Sequence, residues 1–239
     1  MSALPLPGVR AADVGDGGQD RYYTGDRPDI RGYVPADARR VLDVGCGAGT
    51  MGSVLKQLTG AWVAGIEVFE EAAVVAEERL DAVHRINLQG PIELPYPDGH
   101  FDAMTFGDVL EHMQDPHGVL RRLRRWLADD GTIVISVPNL KHWSIIGQLL
   151  VHDRFTYADK GLLDRTHVHF FTLEELGLML ESCGFQATAL RANTVEACPP
   201  SLEPLADFVA GFGQSRDEAL QRLNAYQYVV AAQPKNRET

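Results

Sequence analysis

Apolar residues fall along this chain in short blocks whose spacing alternates between that of strands and that of helices. Runs over 41–44, 61–66, 83–88, 103–106 and 132–137 have the length of buried strands. Between them, 50–58, 70–80 and 116–127 repeat apolar positions every three or four residues and predict helices. Met51, Val54, Leu55 and Leu58 form the inward stripe of the first, which Thr59-Gly60 ends. In the second, alanines and valines turn inward while Glu70, Glu71, Glu77 and Glu78 face water. Val119, Leu120, Leu123, Trp126 and Leu127 carry the third, after Asp115-Pro116 starts it and before Asp130-Gly131 turns the chain. Strands and helices in strict alternation predict a parallel α/β sheet covered on both faces.

Beyond residue 140 the alternation breaks. An apolar helix is expected over 143–150, followed by mixed polar and aromatic residues through Phe155, Tyr157, Lys160 and Phe171. Thr172-x-x-Glu175 is a capping box for a helix with Leu173, Leu176, Met179 and Leu180 inward, and Gly184 stops it before a strand over 185–190. A long link over 193–223 holds helices expected at 202–212 and from 217 onward, and the last strand follows over 226–231.

Composition narrows this to one domain. At 239 residues the chain holds a single sizeable core, and 45% hydrophobic with 23% charged residues is ordinary for a globular protein. Residues 1–20, without periodicity, read as a disordered tail; 21–233 read as the domain, with insertions at 140–171 and 193–223; 234–239 read as a polar tail. A net charge of -11 argues against nucleic acid or an anionic membrane as partner, so Arg121, Arg122, Arg124 and Arg125 read as a solvated helix face. Cys46, Cys183 and Cys198 lack paired spacing and read as reduced thiols. With no apolar run of about 20 residues and no signal-peptide pattern, the expected location is the cytoplasm.

The candidate chemistry centres on Val41-Leu42-Asp43-Val44-Gly45-Cys46-Gly47-Ala48-Gly49-Thr50. A strand, a glycine loop and a helix N-terminus in that order make a ligand cradle of free N–H groups. The spacing is G-x-G-x-G, whereas a dinucleotide fingerprint is G-x-G-x-x-G, and no Gly-Lys-Ser/Thr ending signals a P-loop. Glu67 closes the second strand, about where an acidic partner for ribose hydroxyls stands in such folds. A strand-end glutamate can equally be a solvated residue.

The glycine loop resembles the cofactor loop of class I S-adenosylmethionine-dependent methyltransferases, and three further stretches resemble the same family in order. These are Tyr22-Tyr23 through Ile30, Gly90 through Asp102, and Asp108-Val109-Leu110-Glu111-His112-Met113-Gln114-Asp115-Pro116. Asp164 to Thr172 is similar to methyltransferases of sugar and polysaccharide biosynthesis clusters, with His169 where that group commonly has Arg; Pro91 stands where the wider family often has Asp. The resemblance implies a Rossmann-like doubly wound seven-stranded sheet, mostly parallel with an antiparallel last strand, that binds S-adenosyl-L-methionine. Carried over by position, it implies cofactor contacts from Gly45, Cys46 and Gly47, with Asp43 supporting the loop. It further implies Glu67 on the ribose, Ile92 beside adenine, Asp108 near the methionyl end, and Tyr22 and Tyr23 as a lid.

Methyl transfer to a hydroxyl needs a proton acceptor, for which His112 and then His167 are the candidates, with Asp108 beside them. A metal site of Asp108, Glu111 and His112 stays open, but no diagnostic ligand spacing predicts one. The expected activity is O-methylation of a sugar, glycan or other small-molecule hydroxyl. N-methylation, a methionine-biosynthesis-linked methyltransferase-like role, and a non-catalytic cofactor-binding subunit stay open, as does oligomeric state. A NAD-dependent dehydrogenase is disfavoured by the glycine spacing.

Overall fold

The structure, a computed structural model, describes residues 25–235. Tyr22 and Tyr23, the expected tail over 1–20, and residues 236–239 lie outside the described residues.

Helix α1 (Pro28–Arg31) leads into β1 (Arg40–Val44), α2 (Thr50–Thr59), β2 (Trp62–Ile66), α3 (Glu70–Glu77) and β3 (Ala82–His84). Then follow β4 (Phe101–Gly107), α4 (Pro116–Leu123), β5 (Leu127–Pro138), α5 (Trp143–His152), α6 (Leu173–Ser182) and β6 (Phe185–Asn193). Helices α7 (Pro204–Ala210) and α8 (Arg216–Asn224) precede β7 (Gln227–Pro234). The sheet runs β3-β2-β1-β4-β5-β7-β6. β1 pairs in parallel with both β2 and β4, and β7 runs antiparallel to β5 and β6. The expected antiparallel last strand is therefore present, inserted between two others rather than at an edge. Chain direction across the sheet reverses between β1 and β4, so the crevice at their carboxyl ends is where ligands collect in such folds.

Strand alternation divides the core into two layers. Leu42, Val44, Met104, Phe106, Ile133 and Ile135 face one way, toward α4 and α6. Val41, Val63, Ala103 and Val134 face the other, where Met51 and Leu55 of α2 cover them. The alternate-residue stripes are what one face per helix layer requires.

Several expectations need correction. Leu58 is 66% exposed, because α2 buries Met51, Gly52 and Leu55 and leaves Leu58, in its last turn, to solvent. Val74 is likewise exposed, and the contact of α3 is made by Ala73 and Ala76. β3 stops at His84 instead of reaching Leu88; Asn87 turns the chain by accepting from the Gln89 amide at 3.0 Å. The helix expected to reach residue 127 ends at Leu123 and tightens into a 3₁₀ turn over Arg124–Trp126. Asp130-Gly131 lies inside β5, whose pairing with β4 slips between Phe101 and Ala103. β6 runs on to Asn193, and β7 extends to Pro234, so the first part of the supposed C-terminal tail is ordered; the Lys235 amide donates to Gly184 O at 2.8 Å. Thr172 caps α6 by accepting from the Glu175 amide, while the reciprocal capping box sits on α8, between Ser215 and Glu218.

Candidate functional site

Two clefts open at the carboxyl edge of the sheet and share Gly45 and Asp108. One, of about 480 Å³, is lined by Ile66 to Phe69, Ile86 to Gln89, Val109, His112, Met113 and Thr166. The other, of about 460 Å³, is lined by Gly25, Arg27, Asp43, Cys46, Gly47, Ala48, Thr50, Met51 and Gly107. The glycine loop is the wall between them.

That loop is shaped by backbone that only glycine adopts freely. Gly45 and Gly47 have φ of 69° and 53°. A Cβ on Gly45 would stand 2.5 Å from Val109 Cγ2, whereas a Cβ on Gly47 would meet nothing within 4 Å. Gly45 is thus required by the protein's own packing, and Gly47 leaves its face open to an incoming molecule. Glu67 holds the loop in place. Its Oε2 accepts from the Gly47 amide at 2.8 Å, and its Oε1 accepts from the amides of Val68 and Phe69 at 2.8 and 2.9 Å. A carboxylate offers about four acceptor positions, so this one retains room for a further donor. The solvated alternative is set aside, because Glu67 is only 7% exposed.

Asp43, 3% exposed, lies beneath the loop and accepts from Thr105 Oγ1 at 2.8 Å. Burial, with a smaller push from Glu67, raises its carboxyl to about 7 against the lowering effects of the Thr105 hydroxyl and Arg27. Burial also raises the Cys46 thiol, with Asp43 and Glu67 adding to it, so Cys46 is a neutral wall of the cleft.

Arg27 is the site residue that sequence reasoning passed over. It is 8% exposed, sits at the left-handed φ of 46°, and pairs with Asp29 at 3.0 Å and with Asp108 at 2.5 Å. Its Nη2 also donates to Ser136 Oγ at 2.9 Å and to Gln227 Oε1 at 3.2 Å. Asp108, itself at φ 58°, is held from three sides. Its amide donates to Ser136 Oγ at 3.1 Å, Ser136 Oγ donates to its Oδ1 at 2.9 Å, and Gln227 Nε2 donates to the same oxygen. Residues from the lead-in, β5 and β7 thereby fix one carboxylate at the end of β4. Their signal in sequence was nil beyond polar identity, because Ser136 and Gln227 sit in otherwise apolar strands.

The remaining candidates gather at the 3₁₀ turn over Leu110–His112. His112 Nδ1 is 3.2 Å from Thr166 O, and the 7%-exposed His167 has Nδ1 3.1 Å from Leu162 O. A carbonyl only accepts, so Nδ1 carries the proton in both rings and Nε2 holds the lone pair. The rings meet edge to face at 4.8 Å. Burial lowers the His167 pKa. The segment 140–171 is tied to the turn through the amides of Val168 and His169, both donating to Glu111 O at 2.9 Å. Ile92, expected beside adenine, is instead 5% exposed within the core, and Asn87 to Gln89 line the cleft on that side. Among the described residues no helix is long and apolar enough to cross a membrane.

A sheet in this order, with an open glycine loop at the crossover point and a carboxylate at the end of β2, defines the class I methyltransferase architecture. A methyltransferase-domain family model matches residues 20–190. The chain belongs to that family, and S-adenosylmethionine is its cofactor. It is 34% identical over 115 residues to the ubiquinone biosynthesis O-methyltransferase of Xanthomonas campestris pv. campestris (strain B100), covering 46% of this chain and 47% of that protein. The match thus spans about half the length of that relative. The 27-O-demethylrifamycin SV methyltransferase of Amycolatopsis mediterranei (strain S699) is 29% identical over 211 residues, covering 84% of this chain and 72% of that one. A SAM-dependent methyltransferase from Thermotoga maritima superposes with a TM-score of 0.60 at 16% identity, covering 90% of this chain and 89% of that one.

Proposed function

We propose that this protein transfers a methyl group from S-adenosylmethionine to a hydroxyl of a small molecule, a sugar or glycan hydroxyl among the acceptors to be tested. The observation that carries the proposal is the pair of clefts divided by the open face of Gly47 and meeting at Asp108, with His112 lining one of them. O-methylation is further supported by the activities that name the two sequence relatives.

The residues present fit the cofactor. Glu67, with an acceptor position to spare, and the segment Asn87 to Gln89 would receive the adenosine; Asp43, Gly45, Cys46, Gly47 and Arg27 would receive the amino-acid portion, whose carboxylate and ammonium suit Arg27 and the nearby Asp43 and Asp108. The cofactor supplies an electrophilic methyl on a sulfonium with a neutral thioether as leaving group. The chain's own work is alignment: the Arg27–Asp108–Ser136–Gln227 network fixes the floor on which acceptor and methyl are brought in line. His112, which lines the cleft, would take the acceptor's proton, with the His167 ring packed edge to face against it.

The test is transfer of labelled methyl to a panel of phenols, polyketide hydroxyls and sugars, alongside calorimetry with S-adenosylhomocysteine. Gly47→Ala should melt within a few degrees of the natural protein, since the left-handed Cβ costs only about 1–2 kcal/mol, yet bind S-adenosylhomocysteine at least ~10-fold more weakly. Equal affinity would remove the loop from the site.

Asp43 gives a pH signature. Free protein holds it protonated below about 7, and a neighbouring cation favours its ionised form. Binding of S-adenosylmethionine should therefore release a proton and tighten as pH rises through about 7, a dependence that Asp43→Asn abolishes. Between its unfolded value of about 4 and the folded value near 7, the native state retains a proton the unfolded chain has lost, so this group's contribution to stability falls as pH rises. Calorimetry in buffers of different ionisation heat measures the released proton.

A further inference from the structure

Glu111 presents an unusual problem. It is 1% exposed, and among the described residues neither carboxylate oxygen has a hydrogen-bond partner. Burying a carboxylate without partners costs several kcal/mol, so native proteins satisfy such groups with a proton, a cation or a metal. Among the described residues no guanidinium or ammonium forms an ion pair with Glu111; Arg27, which acts on it only through space, is paired with Asp29 and Asp108. What stands beside it instead is a pair of histidines. One ligand atom from each of Glu111, His112 and His167 falls within 4.8 Å of the others.

We infer that Glu111, His112 and His167 form a binding site for one imidazole-preferring divalent cation of the zinc class. Two features support this beyond proximity. Both rings have Nδ1–H committed to a backbone carbonyl, Thr166 O or Leu162 O, which is the outer hydrogen bond that fixes a metal-ligating histidine with Nε2 free to bind. And the ligands come from two separate segments, the turn after β4 and the roof over 140–171, already laced together through Glu111 O. Ligand atoms around tetrahedral zinc stand about 3.3 Å apart, so closing the set needs a shift of an ångström or so, within reach of side-chain rotation. Two nitrogens and one carboxylate select zinc, cobalt or iron over magnesium and calcium, which take oxygen sets.

Three protein ligands leave coordination positions open, and His112 lines the cleft. Resting on the methyltransferase reading, the cation's use follows. The acceptor hydroxyl binds it and loses its proton to water. The resulting oxygen attacks the methyl carbon, and the C–S bond breaks with its electron pair to sulfur, leaving the ether and S-adenosylhomocysteine. In that case His112 is a ligand rather than the base.

The experiment strips the purified full chain with chelator and titrates it with Zn²⁺ by calorimetry, and with Co²⁺ while recording the visible spectrum. S-adenosylhomocysteine affinity is measured in parallel. The expected result is one Zn²⁺ or Co²⁺ per chain with an intense low-symmetry cobalt spectrum, and a loss of at least ~10-fold in metal affinity for both Glu111→Gln and His167→Gln. Both variants should keep their melting transition and their S-adenosylhomocysteine affinity. Absence of a one-to-one site, or a site indifferent to both substitutions, overturns the inference. Should Glu111→Gln fail to fold, His167→Gln alone decides. Metal bound without any S-adenosylhomocysteine binding would retain this site and sink the methyltransferase reading.

Discussion

Replacing Glu67 by alanine weakens S-adenosylhomocysteine binding by about 100-fold or more. The carboxylate accepts three backbone amides, one of them from Gly47 across the loop, and hydrogen bonds to a charged group contribute about 1.5–3 kcal/mol each. Alanine removes the proposed contact with the cofactor and, with it, the tie that holds the glycine loop against the end of β2. A loss of about 2.7 kcal/mol is already a factor of ~100. Glu67→Gln separates the two roles: it keeps one acceptor oxygen but turns an NH₂ toward the other amide, so its loss should lie between the natural protein and alanine. Calorimetric Kd values for the three proteins check the order. An alanine variant that binds as well as the natural chain would mean that the cofactor is held elsewhere.

Arg27→Met lowers the melting temperature by ~10 °C and abolishes measurable cofactor binding. Methionine keeps most of the stem's volume and deletes the charge, which takes the Arg27 guanidinium away from the half-buried Asp29 and Asp108. Breaking a buried ion pair from one side costs about 3–5 kcal/mol, and for a chain of this size each kcal/mol moves the transition by about 2–4 °C. The diagnostic is the double variant. Adding Asp108→Asn removes the orphaned charge and should recover part of the lost stability without restoring binding. A single variant that melts normally would show the network to be incidental.

These two residues also mark how far the sequence could be read. Glu67 was legible because its context is local: it ends a recognisable strand about twenty residues from a recognisable loop, and both contacts run along neighbouring elements. Arg27 was not, since its partners lie up to 200 residues away and nothing in the period of β5 or β7 marks Ser136 or Gln227 as facing a site. The same limit explains the misplaced surfaces. Leu58 and Val74 fit a helical stripe, but which part of that stripe meets the sheet depends on where each helix crosses it, a property of the assembled layers. Ile92 went into the core for a related reason: once β3 ended at His84, the chain had room to bring Asn87 to Gln89 to the cleft and carry Ile92 beneath it. The seven-stranded doubly wound sheet, the glycine cradle and the antiparallel final strand were readable because the resemblance spans segments in sequence order, whereas the place of that strand between β5 and β6 was not. The Glu111 cluster was legible only in part: Glu111 and His112 are neighbours in sequence, whereas His167 joins them from a segment more than fifty residues on, across a fold contact that no local pattern marks.

The insertion of β7 between β5 and β6 has a consequence for biosynthesis. Gln227, its first residue, completes the clamp on Asp108 and Arg27. During translation, therefore, the nucleotide-facing half of the sheet emerges and can begin to pair while its floor is still unfinished, and contacts this distant in sequence close late. A ribosome-bound nascent chain stalled before Gln227 should be unable to retain the cofactor; ligand competence arrives in one step once β7 has emerged, not gradually along the chain.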